Sequence, residues 1–202
     1  MNSVAIFWII IVSFISILFL IFIMSLSKTA SPINPSRTIY PSMVGEPWAR
    51  CTKEMLDTPN YIKGFCGRHA FLSNFYVHPI VRNGIRYGSS EAAYQAAKYD
   101  GRPAIQQLFV SVTPDESKKL VDANPYDVSA FKRDEVMKQV LESKFSDPAL
   151  RSLLLSTGQK QLEEYNWWDD TYWGVTRAGG QNKLGIMLME LRQRLRLSQV
   201  LV

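Results

Sequence analysis

Glu91, Tyr94, Gln95 and Lys98 stand at i, i+3, i+4 and i+7 in the run Ser89-Ser90-Glu91-Ala92-Ala93-Tyr94-Gln95-Ala96-Ala97-Lys98. On a helix that spacing puts an acid, a phenol, an amide and an amine on one face. Such a face can donate and accept protons around a bound substrate. Ala92, Ala93, Ala96 and Ala97 fill the other positions and allow close packing beneath. The ordinary alternative is a solvated helix face with spaced charges.

A second concentration lies at Glu163-Glu164-Tyr165-Asn166-Trp167-Trp168-Asp169-Asp170-Thr171-Tyr172-Trp173-Gly174, which holds three of the five tryptophans. Four carboxylates do not suit a core strand, and three indoles are not needed by an acidic loop. Aromatic faces beside carboxylates suit a heterocyclic base, which stacks on the rings while the acids accept from ring NH groups. A surface loop anchored by tryptophans is the plainer reading. A third place is Arg177-Ala178-Gly179-Gly180-Gln181-Asn182, where a glycine loop feeds the last helix. Backbone NH groups at a helix start hold phosphate well, and Gly180, Asn182 and Lys183 are the candidates here; turn chemistry alone would also place glycines there. Together the three places point to a nucleotide-like ligand. A Walker loop, a Rossmann glycine fingerprint and a serine nucleophile elbow are absent, which disfavours ATP hydrolysis, hydride transfer and serine hydrolase chemistry.

The elements that must position these residues can be read from turn and capping signals. Tyr61–Cys66 predicts a short strand. Val77–Arg82, Asn83-Gly84 and Ile85–Gly88 predict a hairpin with a two-residue primed turn. Ser89-Ser90 then caps a helix to about Tyr99, with Glu91 in its first turn. Thr113-Pro114-Asp115-Glu116 is a capping box opening a helix to about Val121. Further helices are expected over about 128–145, from Asp147-Pro148 to Gly158, and after Asn182, where Leu184, Met187, Leu188, Leu191 and Leu195 form a stripe. Gly185 inside that helix suggests a close backbone approach. The expectation is a mostly helical α+β single domain with a small antiparallel β hairpin or sheet.

The 202 residues carry a net charge of +5 and are 47% hydrophobic, which excludes a disordered chain. That average mixes two materials. Residues 1–27 have no charged side chain, and Val4–Met24 is long enough to cross a bilayer as one transmembrane helix. Residues 25–60 hold half the prolines and read as a linker; residues 61–197 form the domain. Lys28, Arg37, Arg50 and Lys53 follow the apolar segment, so the positive-inside rule places the domain in the cytoplasm behind a single-pass anchor. Cys51 and Cys66 match no metal spacing and are expected as packing thiols there. His69 and His78 are expected to be structural. No metal or cofactor is expected, and the modest charge argues against electrostatic recruitment of nucleic acid as the sole function.

Several motifs in order resemble the NADAR (YbiA-like) family. They are Phe71-Leu72-Ser73-Asn74-Phe75-Tyr76, Ser89 through Lys98, Arg133 through Met137, Lys144-Phe145, Leu154 through Gly158, Leu162-Glu163-Glu164, Asp170 through Gly174, Gly180 through Gly185, and Leu188 through Arg192. They span nearly all of residues 65–197. Tyr126 stands where the family usually has tryptophan, Val77 where proline is common, and the stretch between Glu164 and Asp170 is about one residue long.

The resemblance implies an N-glycosidase acting on ribosyl N-glycosides, either removing ADP-ribose from guanine-type bases or cleaving phosphoribosylamino-pyrimidine intermediates of riboflavin synthesis. Glu91 is the expected acid/base. Lys98 is expected as a cation near phosphate or ring oxygen, or as a nucleophile at C1′. Asp170 would orient ribose or activate water. Phe75 and Trp173 would flank the base while Asn74 and Gln95 read its edge, with Tyr94 and Glu164 completing the substrate contacts. A membrane-tethered module that binds ADP-ribose without cleaving it is the alternative.

Overall fold

The computed structural model describes residues 56–200. The apolar segment Val4–Met24, most of the proline-rich linker, and Cys51 lie outside them. Among the described residues no helix is long and apolar enough to cross a membrane.

Among the described residues two short strands come first, β1 (Leu56–Asp57) and β2 (Tyr61–Lys63). Asp57 ties β1 down by accepting from Arg68 and Lys160 and pairing with His69 at 2.7 Å. The Lys160 bond, then the His69 bond, holds its carboxyl well below the usual range. A 3-10 turn over Gly67–Leu72 leads to β3 (Val77–Arg82) and β4 (Ile85–Ser89). Asn83 and Gly84 both have positive φ, 49° and 77°, as a primed hairpin turn requires.

Helix α1 (Ser90–Ala96) follows at once, continued by a 3-10 turn to Tyr99. Ser89 caps it by accepting from the Ala92 NH at 3.1 Å. A short helix α2 (Pro103–Gln106) precedes α3 (Pro114–Ala123), whose Thr113–Glu116 capping box is complete. Then come α4 (Arg133–Lys144), α5 (Pro148–Ser156), strand β5 (Gln161–Glu163) and α6 (Lys183–Val200). Helix α4 starts five residues later than expected, and Val128 is exposed. Asp147 caps α5 by accepting from the NH groups of Ala149 and Leu150.

The expected antiparallel hairpin is present, and the small sheet adds one parallel pair that was not expected. Strand β2 pairs antiparallel with β1 but parallel with β5, Ile62 opposite Leu162, while β3 and β4 form a separate antiparallel ribbon. A three-residue strand carries no readable alternation, so β5 was invisible in the sequence. The core runs between these layers through Ile62, Leu72, Ile80, Tyr87, Tyr99, Phe109, Met137, Leu141, Phe145 and Leu188. All seven residues of α1 are buried within it, including the polar ones. Arg82 joins the ribbon to the end of that helix by a two-bonded pair with Asp100 at 2.7 and 2.6 Å.

Cys66 is buried and disulfide-bonded, which replaces the expected thiol.

Gly185 explains itself by packing. A Cβ there would lie 2.2 Å from the Leu162 carbonyl oxygen of β5. Gly185→Ala improves helix propensity by ~1 kcal/mol, yet the clash with backbone outweighs it. We expect a net loss of about 1–3 kcal/mol, read as a lower urea midpoint at unchanged slope.

Candidate active site

A cavity of about 460 Å³ opens between α1, the Ser73-Asn74-Phe75 turn, α3 and the segment after β5. Glu91, Tyr94, Gln95 and Lys98 all line it, so the face of α1 that could have been a solvated surface is a cavity wall. The alanines are the reason: Ala92, Ala93 and Ala96 are fully buried and let α1 sink between the ribbon and its neighbours.

Glu91 is 8% exposed, and its Oε1 accepts from Gln95 Nε2 at 2.6 Å. Burial pushes its pKa up, with the Gln95 bond and the charges of Lys118 and Lys98 pulling back. Its own NH donates to the Asn74 carbonyl at 3.0 Å, which fixes the turn against the helix start. Asn74 Nδ2 donates to the Met137 sulfur at 3.3 Å. Lys98 sits among rings, its Nζ 4.8 Å from the centre of Tyr126 and 5.9 Å from Tyr94 and Phe131. Burial lowers its pKa, while Glu91 and Asp122 raise it. Tyr126 is thus part of the lysine's cage. Burial first, then Glu91, keeps the Tyr94 phenol protonated.

The third wall sorts the paired acids. Glu163 turns to β2, where its oxygens meet the Tyr61 hydroxyl at 3.2 Å and Lys63 at 3.7 Å. Glu164 lines the cavity, and burial, reinforced by Asp170, pushes its pKa up to about 8. Asp169 is exposed, whereas Asp170 lines the cavity and its Oδ1 accepts from the NH groups of Tyr172 and Trp173 at 3.0 and 2.9 Å. Those bonds aim Trp173 inward, where it packs edge-on against Tyr94 at 5.6 Å. Phe75 also lines the cavity.

The expected phosphate cradle is not on this wall. Gly180 packs on Gly174, where a Cβ would lie 2.2 Å from the carbonyl oxygen. Asn182 Oδ1 accepts from the Glu164 NH at 3.1 Å and its Nδ2 donates to the Leu162 carbonyl at 2.9 Å. Lys183 pairs with Asp134 at 3.4 Å. The glycine loop therefore brings three backbones into contact and holds Glu164 in place, which is a supporting role for the cavity.

Sequence reasoning missed Lys118, which lines the cavity from α3, and Lys144. Lys144 is fully buried and donates to the Ser73 carbonyl at 2.7 Å. Burial pushes its pKa down to about 7, opposed by Glu164. Its signal was present: Lys144 follows Met137 by seven and Val140 by four, which sets it on the inward stripe of α4. Three buried oxygens on cavity-lining residues, Asn74 Oδ1, Gln95 Oε1 and Glu164 Oε2, have no hydrogen-bond partner among the described residues. Left unmade, such bonds cost about 1–3 kcal/mol each, so they mark places where a ligand's NH or OH groups would fit.

Glu164 makes stability depend on pH. Its folded pKa of about 8 lies above the usual 4.5, so the native state holds an extra proton between the two values. Stability contributed by the neutral acid is complete below pH 4.5 and is lost as pH rises through 8. Relative to Glu164→Gln, the wild-type chain should lose stability across that window. Denaturant titrations at several pH values check this, and parallel curves would contradict it.

Known proteins share this chain's sequence pattern and fold. The NADAR domain profile matches residues 61–196. N-glycosidase YbiA of Escherichia coli is 35% identical over 133 residues, covering 61% of this chain and 79% of the relative. An N-glycosidase of Nostoc punctiforme is 30% identical over 135 residues, covering 61% and 84%. A riboflavin biosynthesis protein of Vibrio vulnificus is 31% identical over 150 residues, covering 70% of this chain; the chain spans only 40% of that protein. The NMR structure of Escherichia coli YbiA superposes with a TM-score of 0.61 at 28% identity, covering 76% of this chain and 95% of that one. With more than half of its length in the profile and its fold shared with YbiA, the chain belongs to the NADAR family.

Proposed function

We propose that the chain is an N-glycosidase that hydrolyses the bond between a ribosyl carbon and a heterocyclic nitrogen. The substrates are an ADP-ribosylated guanine-type base or a phosphoribosylamino-pyrimidine. The observation that carries this reading is the convergence of Glu91, Lys98, Glu164 and Asp170 on one cavity that also holds Trp173 and Phe75. The names of the relatives, N-glycosidase and riboflavin biosynthesis protein, support the same reaction class.

Cleaving such a bond leaves an electron pair on the base nitrogen and positive charge at C1′. A buried carboxylic acid with a raised pKa holds its proton more tightly than a free one and can deliver it to the departing nitrogen. Glu91 has that environment, and Gln95 fixes the orientation of its carboxyl. Water then bonds to C1′ and gives up a proton to Glu91, now a carboxylate, or to Asp170. Lys98, its pKa lowered by burial, can alternatively attack C1′ through its free amine while the base nitrogen leaves with the proton from Glu91. The attached nitrogen then loses a proton, the C1′–O4′ bond opens to an imine with O4′ protonated, and water hydrolyses the imine back to the amine and the free sugar. Asn74, Gln95 and Glu164 offer acceptor oxygens to NH groups of the base, and Tyr94 completes the wall.

The test is incubation of the full chain with ADP-ribosylated guanine DNA and, separately, a phosphoribosylamino-pyrimidine, followed by mass spectrometry of the released base. Release from one or both is expected, and Glu91→Gln should slow it by about 10²–10⁴. Binding of ADP-ribose without release from either substrate would favour the non-catalytic module instead.

A further inference from the structure

We propose that Trp167 and Trp168 form a stacking subsite for a second planar heterocycle, carried by the same substrate beyond the bond that is cleaved. The inference rests on the N-glycosidase reading and extends it outward from the cavity. Both residues line the cavity, yet they are 47% and 45% exposed, whereas Trp173 is packed inside against Tyr94 and Tyr172. The two indoles meet edge to face, 4.9 Å between centres at 78°. That contact leaves ring faces open, and an open face beside a nucleotide-sized cavity suits a base.

The loop that carries them is built to hold them there. Asn166 is 1% exposed, donates to the Asp170 carbonyl at 2.8 Å and accepts from the Asp170 NH at 3.0 Å, which closes the loop at its base. Its backbone NH is tied to the Val175 carbonyl at 2.9 Å. Asp169, between the indoles and this clasp, has φ of 61°, a conformation that costs a non-glycine residue free energy. Lys98 and Lys118, also on the cavity wall, supply cations for phosphate groups joining the two halves of such a substrate.

The second ring has two chemical sources: the distal base of a dinucleotide-like group, or a base flanking the target in a polynucleotide. Full-length wild type, Trp167→Ala, Trp168→Ala and Trp167→Phe are compared on guanine linked to 5-phosphoribose and on guanine linked to ADP-ribose. The ratio of kcat/KM for the longer over the shorter substrate should fall about tenfold or more in each alanine variant and be kept in Trp167→Phe. A third arm places ADP-ribosylated guanine in an oligonucleotide with intact or abasic neighbours. Dependence on the tryptophans that follows the neighbours assigns the subsite to the flanking base; dependence that ignores them assigns it to the distal base.

Equal ratios in wild type and alanine variants on every pair, with turnover intact, overturn the subsite and leave the N-glycosidase reading standing. They do so even if the variants bind phosphatidylcholine vesicles more weakly than wild type. If wild type releases no base at all, that reading fails, and calorimetry with adenosine monophosphate decides the subsite alone. Tighter binding to wild type than to Trp167→Ala supports it; equal or absent binding overturns it.

Discussion

Carboxyl groups resist burial, because a charged oxygen removed from water loses solvation that only hydrogen bonds or counter-charges restore. The cavity wall is organised around that constraint. Glu91 and Glu164 are both pressed into the protein beside Asp170, whose charge raises the cost of ionising each of them, and Glu91 adds to that cost for Glu164. Gln95 donates to one, Lys144 lies near the other, and Lys98 and Lys118 add positive charge. The outcome is that burial pushes the pKa of Glu91 and Glu164 up, Glu164 to about 8, and that of Lys98 and Lys144 down, Lys144 to about 7.

Maintaining those shifts demands tight surroundings, and most of the fold supplies them. The alanine side of α1 lets that helix lie deep enough to bring Glu91 out of water. Lys144 reaches across from α4 to the Ser73 carbonyl, joining that helix to the turn that carries Asn74 and Phe75. The loop of Gly174 and Gly180 contributes through contact between backbones, and Asn182 clamps the strand end at Glu164 with both of its side-chain groups. A glycine loop before a helix served packing here, because its NH groups bond to nearby carbonyls, such as Gln181 to Thr171 and Asn182 to Gly174.

Local chemistry made much of this legible from residue types. Asn83-Gly84, the Ser89 cap, the Thr113–Glu116 box and the Asp147 cap each specify backbone geometry within a few residues, and each sits where its sequence predicts. The spacing of Glu91, Tyr94, Gln95 and Lys98 likewise sets them on one side of a helix whatever surrounds it. The family motifs, in order along the chain, point to the same domain.

Tertiary structure alone decided what those residues face. Helical periodicity cannot tell a solvated polar face from a cavity wall, since both need the same spacing; only packing by distant segments distinguishes them. The same limit hid β5, whose pairing with β2 joins Leu162 to Ile62 across a hundred residues. It also left the acid pairs unresolved until the chain's course turned Glu163 and Asp169 away and Glu164 and Asp170 inward. The shifted pKa values belong to this second category, because desolvation is a property of the whole enclosure and no single segment carries it.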